Sequence, residues 1–345
     1  MAFSDTFDPN APQAVTGTGS AISNREDLLD VLTILAPEET PVLSSANKQK
    51  ASSTFVEWTV DSLAAPSTTG VTEGADVTSF TDKFSGRARL GNYVQKFRRD
   101  YMVSDLQEAV DSVGPAKVAQ AEAKAIRELK RDVEATLIST NDRKVENGVG
   151  QAYNLRGLGD WLDSAGPDDV PSDFRTPADS IYTTTEANST AFTESALNDL
   201  ITSIYKVTGS TNNLTLIADT GLRRVISDFA RLDPVAQSSA NNSIRNVNYD
   251  GGSSQIKLSV ELYQSDHGVI SIVNANPDCT PNFGGNTTDS SGFIVNPEYF
   301  GIAELIPMGS TRLPNLGGGE RGFVDCALTS LMYHPGAHGL IQDVT

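Results

Sequence analysis

Histidine occurs only three times and cysteine twice in these 345 residues, and aromatic side chains make up 7%. Three imidazoles are too few for much acid-base or metal chemistry. His334 and His338 have the four-residue spacing that sets two ligands on one helix face, but Pro335 and Gly336 between them bar a helix. His267 falls in a predicted hairpin turn. Cys279 and Cys326 are far apart and match no metal spacing, so reduced, buried thiols are expected. Also missing are a G-x-S-x-G elbow, a phosphate loop ending in Gly-Lys-Ser/Thr and a dinucleotide fingerprint. The adjacent acids Glu38-Glu39 and Asp168-Asp169 read as solvated turns, because catalytic carboxylate pairs need a geometry that loop neighbours rarely supply. No apolar run approaches the roughly 18 residues of a membrane span, and the opening "MAFSDTFDPNAPQ" lacks the basic end and apolar core of a signal peptide. Without a secretory signal, the glycosylation-like triplets at Asn188, Asn213, Asn242 and Asn286 carry no meaning. No catalytic, cofactor-binding or metal residue is therefore expected, and an interaction or structural protein is the default.

Basic residues are scarce as well. There are 26 Lys and Arg against 44 Asp and Glu, a net charge of −18, which disfavours nucleic acid as a direct ligand because phosphate contacts need clustered cations. The placement is uneven. Between Lys83 and Arg131 stand 11 basic residues against 6 acidic ones, while the rest of the chain carries 15 against 38. A basic segment lies in an acidic protein, and it reads either as a solvated helix face with ordinary surface charge or as a basic element resting on an acidic surface of its own or of a neighbour.

What is present is a sequence of alternating textures. Residues 1 to 22 are small, polar and aperiodic, an arm expected to be disordered unless docked. In "SNREDLLDVLTILAPEETP", Ser23 and Glu26 have capping-box spacing, Leu28, Val31, Leu32 and Leu35 form one face, and Pro37 stops the helix. "STFVEWTVDSLAAP" and "RARLGNYVQKFRRDYMV" alternate as strands around a turn-rich tip at 68–86, predicting a protruding hairpin. Its two sides are about equally polar, and an isolated ribbon is marginal in water, so it must lean on something.

After a short helix from Ser104 to Val113, residues 116–140 predict one long helix of about 37 Å. Ala119, Ile126, Leu129, Val133 and Leu137 make its buried stripe, with Glu122 inside it and Lys130 at its edge; Lys124, Arg127, Glu128, Arg131 and Glu134 form the charged face. Residues 141–192 read as an irregular connection with "LRGLGDWL" as an apolar anchor. An α+β unit follows: a helix at 194–208 stopped by Gly209, a strand at 214–218, Asp219 capping a helix at 220–231, then strands at 256–263, 268–274 and 292–305. After Gly317-Gly318-Gly319 the chain ends on one long strand-like run, "GFVDCALTSLMYHPGAHGLI".

This order of elements resembles the major capsid proteins of tailed double-stranded-DNA bacteriophages, the Hong Kong 97-type fold. The stretches "REDLLDVLTILAPEETPVLSS", "FVEWTVDSLAAPSTTGVTEGAD", "RARLGNYVQKFRRDYMVSD", "ELKRDVEATLIS", "VNPEYFGIAEL" and "YHPGAHGLI" carry the likeness from about Ser23 onward. The resemblance implies an α+β fold with an N-terminal arm and short helix (1–51), an extended two-stranded E-loop (52–95), and a peripheral domain (96–193) around spine helix 116–140. An axial domain (194–316) and a return to the peripheral domain (317–345) complete it. It also implies hexamers and pentamers of one chain forming an icosahedral head around double-stranded DNA held without sequence-specific binding, a virion protein assembled in the host cytoplasm, with no membrane. A portal at one vertex and decoration proteins belong to that picture. Because the likeness starts near residue 23 and leaves no room for a built-in scaffold, a separate scaffolding protein is expected. Only Lys83 lies near the loop tip and nothing identifies an acceptor, so covalent cross-linking is not expected.

Under this resemblance the subunit contacts are expected at Phe55, Glu57, Trp58, Lys83, Arg87, Arg89, Lys96, Arg98, Arg99, Arg127 and Arg131. Lys96, Arg98 and Arg99 are expected to form ion pairs within or between subunits rather than to touch DNA. Two readings from other classes are weighed against it. A phage tail polysaccharide hydrolase would need two carboxylates about 5 to 9 Å apart in a cleft and more aromatic stacking than the chain supplies. A secreted adhesin or surface-layer subunit suits the Ser/Thr/Asn content but not the missing export signal.

Overall fold

Two sheets assembled from interleaved parts of the chain carry the architecture of the computed structural model. It describes residues 39–84, 86–110, 117–163, 166–183, 192–211, 213–229, 247–250, 253–256, 260–279 and 291–342. The first half of these residues contains α1 (Pro41–Ser45), β1 (Asn47–Lys50), β2 (Phe55–Val60), β3 (Ala88–Tyr93), β4 (Gln95–Val103), α2 (Asp105–Ala109), α3 (Lys117–Ile138), α4 (Leu158–Trp161) and β5 (Ile181–Thr183). The second half contains α5 (Glu194–Thr208), β6 (Leu214–Ala218), α6 (Thr220–Phe229), β7 (Val247–Asp250), β8 (Ser253–Ile256), β9 (Leu262–Ser265), β10 (Gly268–Asn274), β11 (Gly292–Val295), β12 (Phe300–Leu313), β13 (Glu320–Met332) and β14 (Gly339–Gln342). The expected helix at residues 23–36 lies outside the described residues.

The four-stranded sheet runs β1-β12-β13-β4, and α3 lies across β4 and β13. At 22 residues the helix is about 33 Å long. Leu129, Val133 and Leu137 are fully buried with Ala125 and Ile138, against Phe97, Tyr101, Val324 and Leu328 of the sheet. Each such leucine contributes about 2 kcal/mol by leaving water. The helical wheel errs at two positions: Ala119 is exposed, and Glu134, placed on the charged face, is buried. Val118 and Ala121, on either side of Ala119, are the residues of the first turn that pack against the core. The helix at 104–113 is described only as α2, with Ser104 Oγ capping it by accepting from the Gln107 amide at 3.2 Å; residues 111–113 lie outside the described residues.

The six-stranded sheet runs β5-β14-β11-β6-β10-β9. Its central strands are apolar at successive positions because both faces are covered. Ile217, Phe293, Val295 and Leu340 point into the core shared with α3, whereas Leu216, Ala218, Ile294 and Ile341 point to the core under α5 and α6. From α5 and α6 that second core takes Leu197, Leu200, Ile201, Ile204, Leu222 and Ile226. The α5 boundaries match the sequence expectation, with Thr193 capping by accepting from the Ala196 amide and Gly209 closing the helix at φ +68°.

Three strand expectations change. The run 292–305 is two strands in different sheets, separated by a turn in which the Asn296 side chain accepts from the Glu298 amide. The terminal run is likewise two: β13 pairs with β4 and β12, then Pro335 and a short 3-10 turn deliver β14 to the six-stranded sheet between β5 and β11. Of the run 256–263, residues 257–259 lie outside the described residues, Val260 and Glu261 are not in a strand, and β9 starts at Leu262. Because β12 sits in the four-stranded sheet and β14 in the six-stranded one, sheet membership changes between Val295 and Phe300, and again after Met332.

Candidate assembly surface

Antiparallel pairing of Phe55–Val60 with Ala88–Tyr93 builds the hairpin that alternation predicts. Every described side chain from Asp61 to Arg87 is exposed, including Leu63 at 99% and Phe80 at 90%, with Val71, Val77 and Phe84. Monomeric proteins rarely leave so many large apolar groups in water on one projection. At its neck Arg87 pairs with Asp61 at 2.8 Å and lies 4.2 Å from the Phe84 ring centre.

The eleven residues named from sequence fall into separate groups. Phe55 packs on Tyr93 in a tilted arrangement with centroids 4.6 Å apart, and Gly91 makes room for it: a Cβ there would stand 2.6 Å from the Phe55 ring. Glu57 and Arg89 face each other across the ribbon at 3.8 Å. Trp58 turns inward, 5.9 Å from Trp161 and 6.3 Å from Tyr333, so it packs within its own chain. On β4, Arg99 faces α3 and grips Asp132 through two bonds of 2.5 and 2.7 Å, which raises the Arg99 pKa. Lys96 points to the other face of the sheet and pairs with Asp325 at 3.0 Å. Arg131 pairs with Asp278. Arg98 and Lys83 are exposed and make no ion pair among the described residues; Arg127 is exposed on α3.

Two buried polar arrangements escaped the sequence reading. The first holds α1 to α3. Glu134, 0% exposed, accepts from the Val42 amide at 2.8 Å and the Leu43 amide at 2.9 Å, donors that the start of a helix leaves unpaired. Burial pushes its pKa up to about 7 against the opposing pull of those amides. The folded chain therefore keeps a proton that the unfolded chain has lost; the stability this lends is complete below pH 4.5 and fades as pH rises through about 7. Between pH 8 and pH 5.5 the wild type should gain about 1–2 kcal/mol relative to Glu134→Gln, read from urea unfolding at each pH. Parallel pH profiles for the two chains would refute this.

The second arrangement lies beneath the ribbon. Arg156 has a side chain 2% exposed, lies 4.7 Å from the Trp161 ring centre, and contacts Asp142 and Asp169 at 2.7 Å each. Asp160 Oδ2 is 2.8 Å from Arg156 Nε but off its N–H direction, an ion pair without a directed hydrogen bond. Burial pushes the Asp160 carboxyl up to about 6 despite Arg156. Burial also acts to raise Asp169, but Arg156 and Arg143 together hold it below its usual range. Asp169, expected in a solvated turn, is thus tied to two guanidiniums. The faint sequence signal was an arginine preceding Asp160, Asp163, Asp168 and Asp169.

The histidines do no such work. His338 is fully buried, pushed down to about 3 by burial, with Nδ1 accepting from the Asn296 amide at 3.1 Å. His267 stacks on Tyr205 at 4.8 Å in its turn. Cys279 and Cys326 are free and buried, their thiols pushed up to about 11 and 12 by burial. Among the described residues there is no His/Cys/Asp/Glu cluster able to hold a metal ion, and no helix is long and apolar enough to cross a membrane.

A family model described as the SU10 major capsid protein matches residues 14–345. No curated protein matches the sequence. Among solved structures, the Cyanophage A-1(L) capsid asymmetric unit is similar at TM-score 0.58 and 15% identity, over 93% of this chain and 97% of that one. A Mycobacterium phage Adephagia structure is similar at TM-score 0.59 and 12% identity, over 96% and 99%. The capsid of a native GTA particle gives 0.56 and 12%, over 95% and 99%. At these identities the likeness to solved structures is one of fold.

Proposed function

Since the chain belongs to the SU10 major capsid protein family, we propose that its ribbon, residues 52–95, is the E-loop by which one subunit reaches over the next. The protein is a structural component of the virion, the subunit of an icosahedral head that encloses double-stranded DNA. The finer roles form one scheme: hexamers and pentamers as capsomers, α3 as the spine helix of a peripheral domain, the six-stranded sheet with α5 and α6 as an axial domain. A separate scaffolding protein, a portal at one vertex and decoration proteins are its companions, and assembly takes place in the host cytoplasm.

One observation carries the E-loop reading. The apolar side chains Leu63, Val71, Val77, Phe80 and Phe84 project on a ribbon with no described partner from their own chain beyond Arg87 at Phe84. Burial under a neighbour would supply the cover that water-exposed apolar surface favours. Of the eleven residues first named, Phe55, Glu57, Lys83, Arg87, Arg89, Arg98 and Arg127 remain the proposed subunit contacts, while Trp58, Lys96, Arg99 and Arg131 serve mainly to brace their own subunit. A net charge of −18 suits a container that must not grip phosphate. Expression of the chain, alone and with a scaffolding protein, is expected to give closed shells by negative-stain microscopy; a stable monomer under both conditions would refute the scheme.

A further inference from the structure

A ribbon that must meet a neighbour has to leave its own subunit in a fixed direction. Strand β3 passes into β4 through Val94, whose amide donates to the Thr54 carbonyl at 2.8 Å. Val60, Trp58 and Leu90 pack one face of the ribbon on the subunit core, but apolar packing is not directional, so the angle at which the ribbon leaves depends on the polar ties at its root. Strand β2 is about 20 Å long, and a tilt of about 10° at its root would move its far end by about 3 Å.

Asn92 and Arg143 oppose that tilt. Asn92 is 0% exposed; its amide group donates to Ser330 Oγ at 2.9 Å and to the carbonyls of Ser330 and Arg156 at 3.2 and 3.3 Å, and its oxygen accepts from the Arg156 amide at 2.8 Å. One residue earlier, Arg143 Nη1 donates to the Gly91 carbonyl at 2.5 Å. The same guanidinium holds Asp169 at 2.7 Å and lies 5.3 Å from the Phe55 ring centre. It thus touches both strands of the ribbon and, through Asp169, the buried Arg156.

We propose that Arg143 is a positioning residue: its planar fork sets the direction in which the ribbon projects, with Asn92 as the fixed pin. This rests on the E-loop reading and adds the part that aims the loop. A lysine at 143 could pair with Asp169, but it could not also hold the Gly91 carbonyl and lie flat on Phe55.

The test compares wild type, Arg143→Ala and Arg143→Lys in the full chain. Both variants are expected to melt within a few degrees of wild type, to show amide exchange at residues 88–93 at least about tenfold faster, and to give shells of mixed diameter or open sheets. Exchange within about twofold of wild type in Arg143→Ala, or full rescue by lysine, would overturn the proposal. So would loosened roots with shells as uniform as wild type. If the wild-type chain makes no shells, the E-loop reading fails with the aiming role, while the exchange data still decide whether Arg143 fixes the root.

Discussion

Replacing Arg156 with Ala is expected to cost about 3–5 kcal/mol, the usual consequence of removing one partner from a buried ion cluster. The guanidinium is enclosed, with Trp161 on its face and Asp142, Asp160 and Asp169 at its edges. Asp142 is more than half exposed and can return to water, so the loss falls on Asp160 and Asp169. Without the cation, burial would raise the Asp160 carboxyl further above its unfolded value and would lift Asp169 from its lowered position. The variant's folded state then binds protons that its unfolded state releases, so its deficit should be largest near pH 8 and shrink toward pH 5. Denaturant unfolding of the unassembled chain at both pH values measures it. A deficit under about 1 kcal/mol at pH 8 would show that the cluster gains no more than it costs to bury.

Replacing residues 61–87 with Asn-Gly is expected to abolish shells while leaving the subunit folded. The last ribbon pair is Val60 with Ala88, which a two-residue turn can close directly. No described residue of 61–87 belongs to the main hydrophobic core. Shortening a loop of this length to two residues removes about 2 kcal/mol of closure entropy, set against the loss of the exposed Arg87–Asp61 pair, so the melting temperature should hold or rise. Uniform closed shells from this variant would end the E-loop reading. A chain that no longer folds would instead show that the ribbon supports its own subunit.

Much of the fold was legible because local pattern and burial agree there. In α5, Leu197, Leu200, Ile201 and Ile204 repeat at helical spacing, Thr193 and Gly209 mark the ends, and all four apolar side chains are buried together. The α3 stripe holds for the same reason at Leu129, Val133 and Leu137. Glu134 shows where the pattern stops informing. Its burial depends on Val42 and Leu43, some ninety residues away, offering amides at the one place a carboxylate is needed. Arg156 was hidden similarly, since Asp142 and Asp169 lie in loops whose placement beside α4 no periodicity encodes. The ribbon was visible in alternation, but its anchoring was not: Asn92 and Arg143 look like ordinary polar residues until Gly91, Ser330 and Asp169 are brought beside them.

Strand β14 has a consequence for synthesis. It lies between β5 and β11, so residues 181–183 and 292–295 are joined to each other only through residues 339–342. A nascent chain that has not yet delivered Gly339–Gln342 presents an open strand edge on β11 and leaves β5 unpaired. Such non-local closure is slow compared with forming α5, and open edges invite pairing with other chains. A chain ending before its last strand would therefore leave an unfinished sheet whose open edge can pair with other chains.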